Sequence, residues 1–256
     1  METKIMPDSV IWHLAVGNTV LEFHGKTLIM SWVVMAIMII VCMMGVRSLT
    51  SGKPGPMQNL LEWTVDFIKN LIADNMDYKK GRLILPYLLT LIMFILFSNL
   101  IGLIPNFLGI ISPMLPKFAQ LNKIFSGPTL HSPTGDINCT AALAILTFCL
   151  IIFMGIRDKG IGYFKHFFDP HPVFFVIHVI DMLAKPLTLA FRLFGNIYAG
   201  KVLIMVILML PGLWVLPGSI PLFIWLAFKA FIGFIQAFVF TILTTAYVAQ
   251  AVADDH

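Results

Sequence analysis

From Thr27 to Val46 the chain runs for twenty residues without a charged side chain, and comparable runs recur at 83–116, 137–156, 202–228 and 230–253. This pattern limits the fold more than any other feature of the sequence. A helix rises about 1.5 Å per residue, so roughly 20 apolar residues cross the ~30 Å hydrocarbon core of a bilayer. Backbone groups in hydrocarbon must bond one another, and unbroken apolar runs do so as helices rather than as the alternating strands of a barrel. Charged residues make up 12% of the chain and apolar ones 59%; a soluble domain carries about 25% charge. A soluble globule, a disordered chain and a nucleic-acid binder are all excluded, because the net charge of +4 is scattered among apolar runs.

The expected fold class is an all-α polytopic membrane protein forming one integral domain, 1–256. Residues 1–26 make an external N-terminal segment, 27–46 the first span, 83–104 the second and 137–156 the third. Pro105, Pro113 and Pro116 end the second span near Ile104, since proline has no N–H to continue a helix. Residues 172–210 read as one long helix carrying polar groups. A C-terminal helix, 219–252, folds back along it after a turn set by Pro211, Pro217 and Pro221. Segment 56–77 repeats Leu60, Leu61, Val65, Ile68 and Ile72 at helical spacing, with Glu62, Asp66, Lys69 and Asp74 between them. It reads as an amphipathic helix at the membrane interface. Loops 47–82 and 157–171 hold most of the loop lysines and arginines. The bias toward positive charge inside then places the N-terminus outside and the C-terminus in the cytoplasm, across five spans.

The few charges inside the membrane carry the functional reading. An ion at a helix centre costs roughly 2.5–3.5 kcal/mol on insertion scales, yet segment 181–201 holds four. At about 100° per residue, Asp181, Lys185, Thr188, Arg192 and Asn196 fall on one stripe, and Lys201 faces the other way. Asp181 and Lys185 stand in the favourable acid-then-base i,i+4 order. Lys201 is placed where it can snorkel toward an interface. Arg192 sits among Leu187, Leu189, Ala190, Phe191, Leu193 and Phe194, with its nearest acid on the helix eleven residues away. Guanidinium stays charged at any working pH, so Arg192 is expected to face water or a carboxylate from another subunit. The last span has its own stripe, Lys229, Gln236, Leu243 and Gln250, with Gly233, Phe240 and Tyr247 beside it.

Four stretches carry a resemblance. AKPLTLAFRLFGNIYAGKVL (184–203), SPTGDINCTAALAILTF (132–148), QAFVFTILTTAYVAQAV (236–252) and SNLIGLIP (98–105) together resemble the a-subunit family of F-type ATP synthases. These subunits are stator channels of the membrane sector. The resemblance implies a subunit lying against a rotating ring of c subunits, each with a membrane carboxylate. Two offset half-channels would carry H⁺ or Na⁺ to and from that ring, coupling ion flow to rotation and ATP synthesis. It implies Arg192 as the essential stator charge, with Thr188, Asn196 and Gln236 near it. Asp136 and Asn138 match a D-x-N motif at a candidate outer mouth, where Asp136 also suits a helix N-cap. Further half-channel candidates are Asp181, Lys185, Lys201, Lys229 and Tyr247. The implied partners are the c-ring, the b subunits of the peripheral stalk, the soluble catalytic head reached through that stalk, and membrane lipid. No cofactor, metal or catalytic residue of its own is expected. The expected location is a bacterial plasma membrane, an organelle inner or thylakoid membrane being the alternative.

One departure stands out. Some members carry Glu and His where this sequence has Lys201 and Lys229. Two lysines cannot form that acid–base pair and repel when close. The alternative class is a secondary transporter binding an anionic substrate at Arg192. It calls for internal repeats or paired broken helices, and the sequence shows neither. A membrane-embedded enzyme is disfavoured by the absence of HExxH or GxSxG spacing.

Overall fold

The computed structural model describes residues 11–16, 19–47, 49–50, 52–104, 129–160, 162, 174–209 and 219–253. Its membrane part is wholly helical. Helix α1 spans Gly25–Arg47, α2 Pro56–Asn75, α3 Tyr78–Gly81, α4 Leu85–Ile101, α5 Ile137–Lys159, α6 Phe174–Met209 and α7 Ser219–Val252. A 3₁₀ turn, Pro133–Gly135, leads into α5. Helices α1, α5, α6 and α7 are long and apolar enough to cross a membrane, and α4 is a shorter apolar helix of 17 residues. The expected all-helical membrane fold is therefore observed. One addition lies in the N-terminal segment: β1 (Ile11–Val16) and β2 (Thr19–His24) pair antiparallel, with Ile11 opposite His24. Residues 105–128, which include Pro105, Pro113 and Pro116, fall outside the described residues. So do Pro211 and Pro217 of the expected turn, and the polar loop containing His166, Asp169 and His171.

Local chemistry sets the helix ends. Pro56 and Pro86 occupy first-turn positions of α2 and α4, where a missing N–H costs nothing. The Asp136 carboxylate caps α5, accepting the Asn138 backbone N–H at 3.0 Å. That helix ends at Gly160 with φ +61°, after Arg157 and Lys159 in its last turn. Both features suit a helix C-terminus, where the backbone turns left-handed and cations meet the negative end of the dipole.

Two apolar clusters hold the bundle together. One joins Ile68 and Ile72 of α2 to Leu88, Ile151, Met154 and Val248. The other joins Leu91, Ile95, Ala144, Leu189, Leu193, Ala237 and Phe240, drawn from α4, α5, α6 and α7. Met30 and Val34 fasten α1 to Ile101 in a smaller cluster. Thus α2 lays its Ile68/Ile72 stripe on the bundle and leaves Leu60 and Trp63 exposed. At 36 and 34 residues, α6 and α7 are roughly 54 and 51 Å long. Helices of that length exceed a ~30 Å hydrocarbon core, so each must cross it obliquely or extend beyond it. They run antiparallel, with contacts from Lys185–Gln250 through Asn196–Gln236 to Gly200–Trp225.

Candidate functional site

Arg192 lies on the outward face of α6, exposed, with no hydrogen-bond or ion-pair partner among the described residues. Its helix neighbours Leu189, Ala190 and Leu193 are buried in the bundle, so packing of α6 against the bundle fixes the direction in which the guanidinium points. Asp181, Thr188 and Asn196 share the exposed face, and Leu187 and Phe191 flank it. The Thr188 hydroxyl is used locally, donating to the Lys185 carbonyl at 2.9 Å. The Asn196 amide donates to Gln236 Oε1 at 2.9 Å, which ties α6 to α7 one turn from Arg192. Gln236 is 5% exposed, and its Nε2 has no partner. The two amides thus bond each other across the helix pair.

The end of the bundle near Asp136 gathers polar groups from five elements. Asp136 Oδ2 accepts the Thr27 hydroxyl of α1 at 2.6 Å and lies 3.2 Å from His24 Nδ1 at the end of β2. His131 Nε2 stands 3.5 Å from the same Thr27 oxygen. Burial above all, then the Lys201 ammonium, pushes His131 down to about 4, so it is neutral at ordinary pH. The Asn138 side chain is exposed and contributes nothing here beyond its backbone N–H. Beside this group, Ser132 shares a hydrogen bond with Thr134 at 2.9 Å. The Thr134 hydroxyl donates to Asn99 Oδ1, and Asn99 Nδ2 donates to the Gly233 carbonyl at 2.9 Å. Gly233 is needed for that approach, because a Cβ there would stand 2.9 Å from Asn99 Cβ. A small cleft between α4, α6 and α7 is lined by Ser132, Lys229, Asn196 and Gln236 among others, beside this polar group.

At the opposite, basic end, Lys185 joins α6 to α7. Its Nζ lies 2.9 Å from Asp181 Oδ2, donates to Gln250 Oε1 at 3.2 Å, and sits 5.4 Å above the Tyr247 ring. Lys80 pairs with Asp158 at 2.8 Å nearby, linking α3 to the end of α5. Polar groups thus gather at both ends of the bundle, while the stretch around Arg192 is apolar.

The family described as ATP synthase A chain matches residues 28–249. The chain belongs to this family. It is 38% identical over 247 residues to ATP synthase subunit a of Desulforamulus reducens, covering 95% of this chain and 84% of that one. It is 38% identical over 242 residues to that of Lysinibacillus sphaericus, covering 92% and 95%. To that of Oceanobacillus iheyensis it is 36% identical over 253 residues, covering 97% and 99%. The matched range contains every site residue singled out in the sequence.

Structure and sequence divide the site differently. Asp136, Lys201 and Lys229 come together at one end, and Asp181, Lys185 and Tyr247 at the other. Arg192 and Thr188 face outward, apart from both groups. Residues that the sequence reading passed over are His24, Thr27, Asn99, Ser132, Thr134 and His131 at the Asp136 end, and Gln250 as a partner of Lys185. The first six carry no spacing signal, since Thr27 and Asp136 meet across 109 positions. What they share is position: each is a polar residue close to the end of an apolar run.

Proposed function

We propose that the chain forms both half-channels of an ion-translocating stator, with Arg192 as the fixed charge between them. Membership of the ATP synthase A chain family makes it an ion-transporting subunit of that enzyme's membrane sector. The observation that carries the finer reading is the partnerless guanidinium of Arg192, aimed out of the bundle from mid-helix. A permanent cation in an apolar stretch is costly, so it calls for a carboxylate on the surface that covers this face. A ring of c subunits supplies one carboxylate after another. At 4 Å the pair is worth about 4 kcal/mol at an effective dielectric of 20, enough to hold each arriving carboxylate ionised and to displace its ion.

The Asp136 end then serves as the outer half-channel and the Asp181–Lys185 end as the inner one. Arg192 separates them and blocks direct leakage. The N-terminus lies outside a bacterial plasma membrane and the C-terminus in the cytoplasm, as the basic loops require. Peripheral-stalk b subunits and the soluble head complete the assembly. The test is Arg192→Ala in the assembled complex. ATP-driven ion pumping is expected to vanish while the ring still co-purifies; coupled pumping at the native rate would refute the assignment.

A further inference from the structure

Short helix α3 and the end of α5 meet at the basic end of the bundle, although their contacting residues stand 78 positions apart. Lys80 Nζ donates to Asp158 Oδ2 at 2.8 Å, and the pair is partly shielded from solvent. Segments 77–82 and 157–159 are thereby brought together. They hold five cations, Lys79, Lys80, Arg82, Arg157 and Lys159, against two acids, Asp77 and Asp158. Both acids are engaged. Asp158 holds Lys80, and Asp77 caps α3 by accepting the Lys79 backbone N–H at 3.0 Å. Arg157 and Lys159 also meet the negative end of the α5 dipole. Lys79 and Arg82 come from another element, and both are exposed, as is Arg157.

The surface beside these cations is apolar. Phe153, Ile156 and Arg157 are spaced i, i+3, i+4, so they share one face of α5. Phe153 is 58% exposed and Ile156 40%, and Ile145 and Leu146 continue the exposed stripe two turns further into the span. Leu83 and Tyr78 are exposed next to Arg82 and Lys79 in the chain, and tyrosine suits the depth of lipid headgroups. A cation at the end of an exposed apolar stripe complements a phospholipid, whose phosphate stands at the end of its acyl chains. Basic pockets between helix ends bind such headgroups. A soluble anion would use the cations and leave the stripe uncovered.

We propose that α3 and the C-terminal end of α5 form a binding site for an anionic phospholipid. Arg82 and Arg157 face its phosphate, where the guanidinium fork matches the phosphate oxygens. The acyl chains lie along Ile145, Leu146, Phe153 and Ile156, and the Lys80–Asp158 pair holds the two sides of the site together. The site depends on the membrane fold alone and not on the role given to Arg192. The experiment titrates the assembled complex in mild detergent with phosphatidylglycerol or phosphatidylcholine and reads bound lipid by native mass spectrometry. The native complex should take up phosphatidylglycerol in preference; equal uptake of phosphatidylcholine would overturn the proposal. Arg82→Gln with Arg157→Gln should weaken phosphatidylglycerol binding about thirtyfold, which is about 1 kcal/mol for each base removed. Arg82→Lys with Arg157→Lys keeps the charge and should restore most of it. Arg47→Gln removes an exposed base at the end of α1 and should change nothing; an equal loss there would overturn the site. Undiminished binding in the double Gln variant would also overturn it and leave this surface to a protein partner. Inorganic phosphate at the lipid's concentration should not displace bound phosphatidylglycerol, and displacement would show a bare anion site instead.

Discussion

Thr27→Val and Asp136→Asn, made singly and together, test whether the Asp136 carboxylate ties this end of the bundle together. Asp136 is 9% exposed and accepts the Thr27 hydroxyl at 2.6 Å and the Asn138 N–H at 3.0 Å. A hydrogen bond to a charged group contributes about 1.5–3 kcal/mol and a neutral one about 0.5–1.5. Asparagine caps a helix about as well as aspartate, so Asp136→Asn leaves the start of α5 intact and removes only the charge. Thr27→Val in the native background should then cost about 2 kcal/mol, and in the Asp136→Asn background about 1. The coupling energy is the difference, about 1 kcal/mol, above the ~0.3–0.5 kcal/mol within which independent sites add. The readout is thermal unfolding of the purified complex in mild detergent, with α1–α5 proximity followed by a crosslink. Strict additivity of the two substitutions would refute the tie. Asp136→Ala also removes the cap and should cost a further ~1 kcal/mol.

Gly233→Val places side-chain atoms against Asn99, where even a Cβ would stand at 2.9 Å. It should cost about 1–3 kcal/mol through overpacking, seen as a reduced yield of assembled complex. Lys185→Met breaks the Asp181 pair and the Gln250 bond. Because Asp181 is exposed, the loss in stability should stay below about 1 kcal/mol, but hydrogen exchange at the basic ends of α6 and α7 should rise. His131 titrates at about 4 in the folded chain instead of 6.5. Between these values the unfolded chain binds more protons. Stability should therefore be full above pH 6.5 and fall as pH drops toward 4, and His131→Gln should flatten that part of the pH–stability profile.

Much of the fold was legible because hydrocarbon imposes a simple rule on sequence. Uncharged runs of spanning length, proline stops and the 185/192/196 spacing place α1, α4, α5, α6 and the face of Arg192 without tertiary information. The opposite rotation of Lys201 followed from the same arithmetic, and it is found turned toward Gly135. The site contacts were less legible. Asn196 with Gln236, Lys185 with Gln250, and Thr27 with Asp136 are 40, 65 and 109 residues apart, and which polar side chains meet depends on helix tilt and rotation set by packing. The hairpin β1–β2 was missed because the helical spans dominate the hydropathy signal.

The charge inventory constrains the mechanism beyond any single contact. The carboxylates with described side chains each have a place away from Arg192. Asp136 is held at one end of the bundle, Asp181 and Asp158 at the other, and Glu62, Asp66, Asp74 and Asp77 lie on or just after α2. A chain that carried a cation by itself would need a carboxylate near mid-membrane to neutralise it, and the position is taken by Arg192. Burying that cation against lipid would be costly, and salvaging it with an internal acid would close off the exposed face of α6. The arrangement becomes inexpensive only when a second protein presents acids to that face. It becomes a motor only when those acids can leave as well as arrive. A static partner helix with one carboxylate would satisfy the charge and stop there; a succession of identical carboxylates satisfies it repeatedly. The exposed guanidinium, rather than either polar end, is therefore the feature on which the proposed rotary-stator role rests.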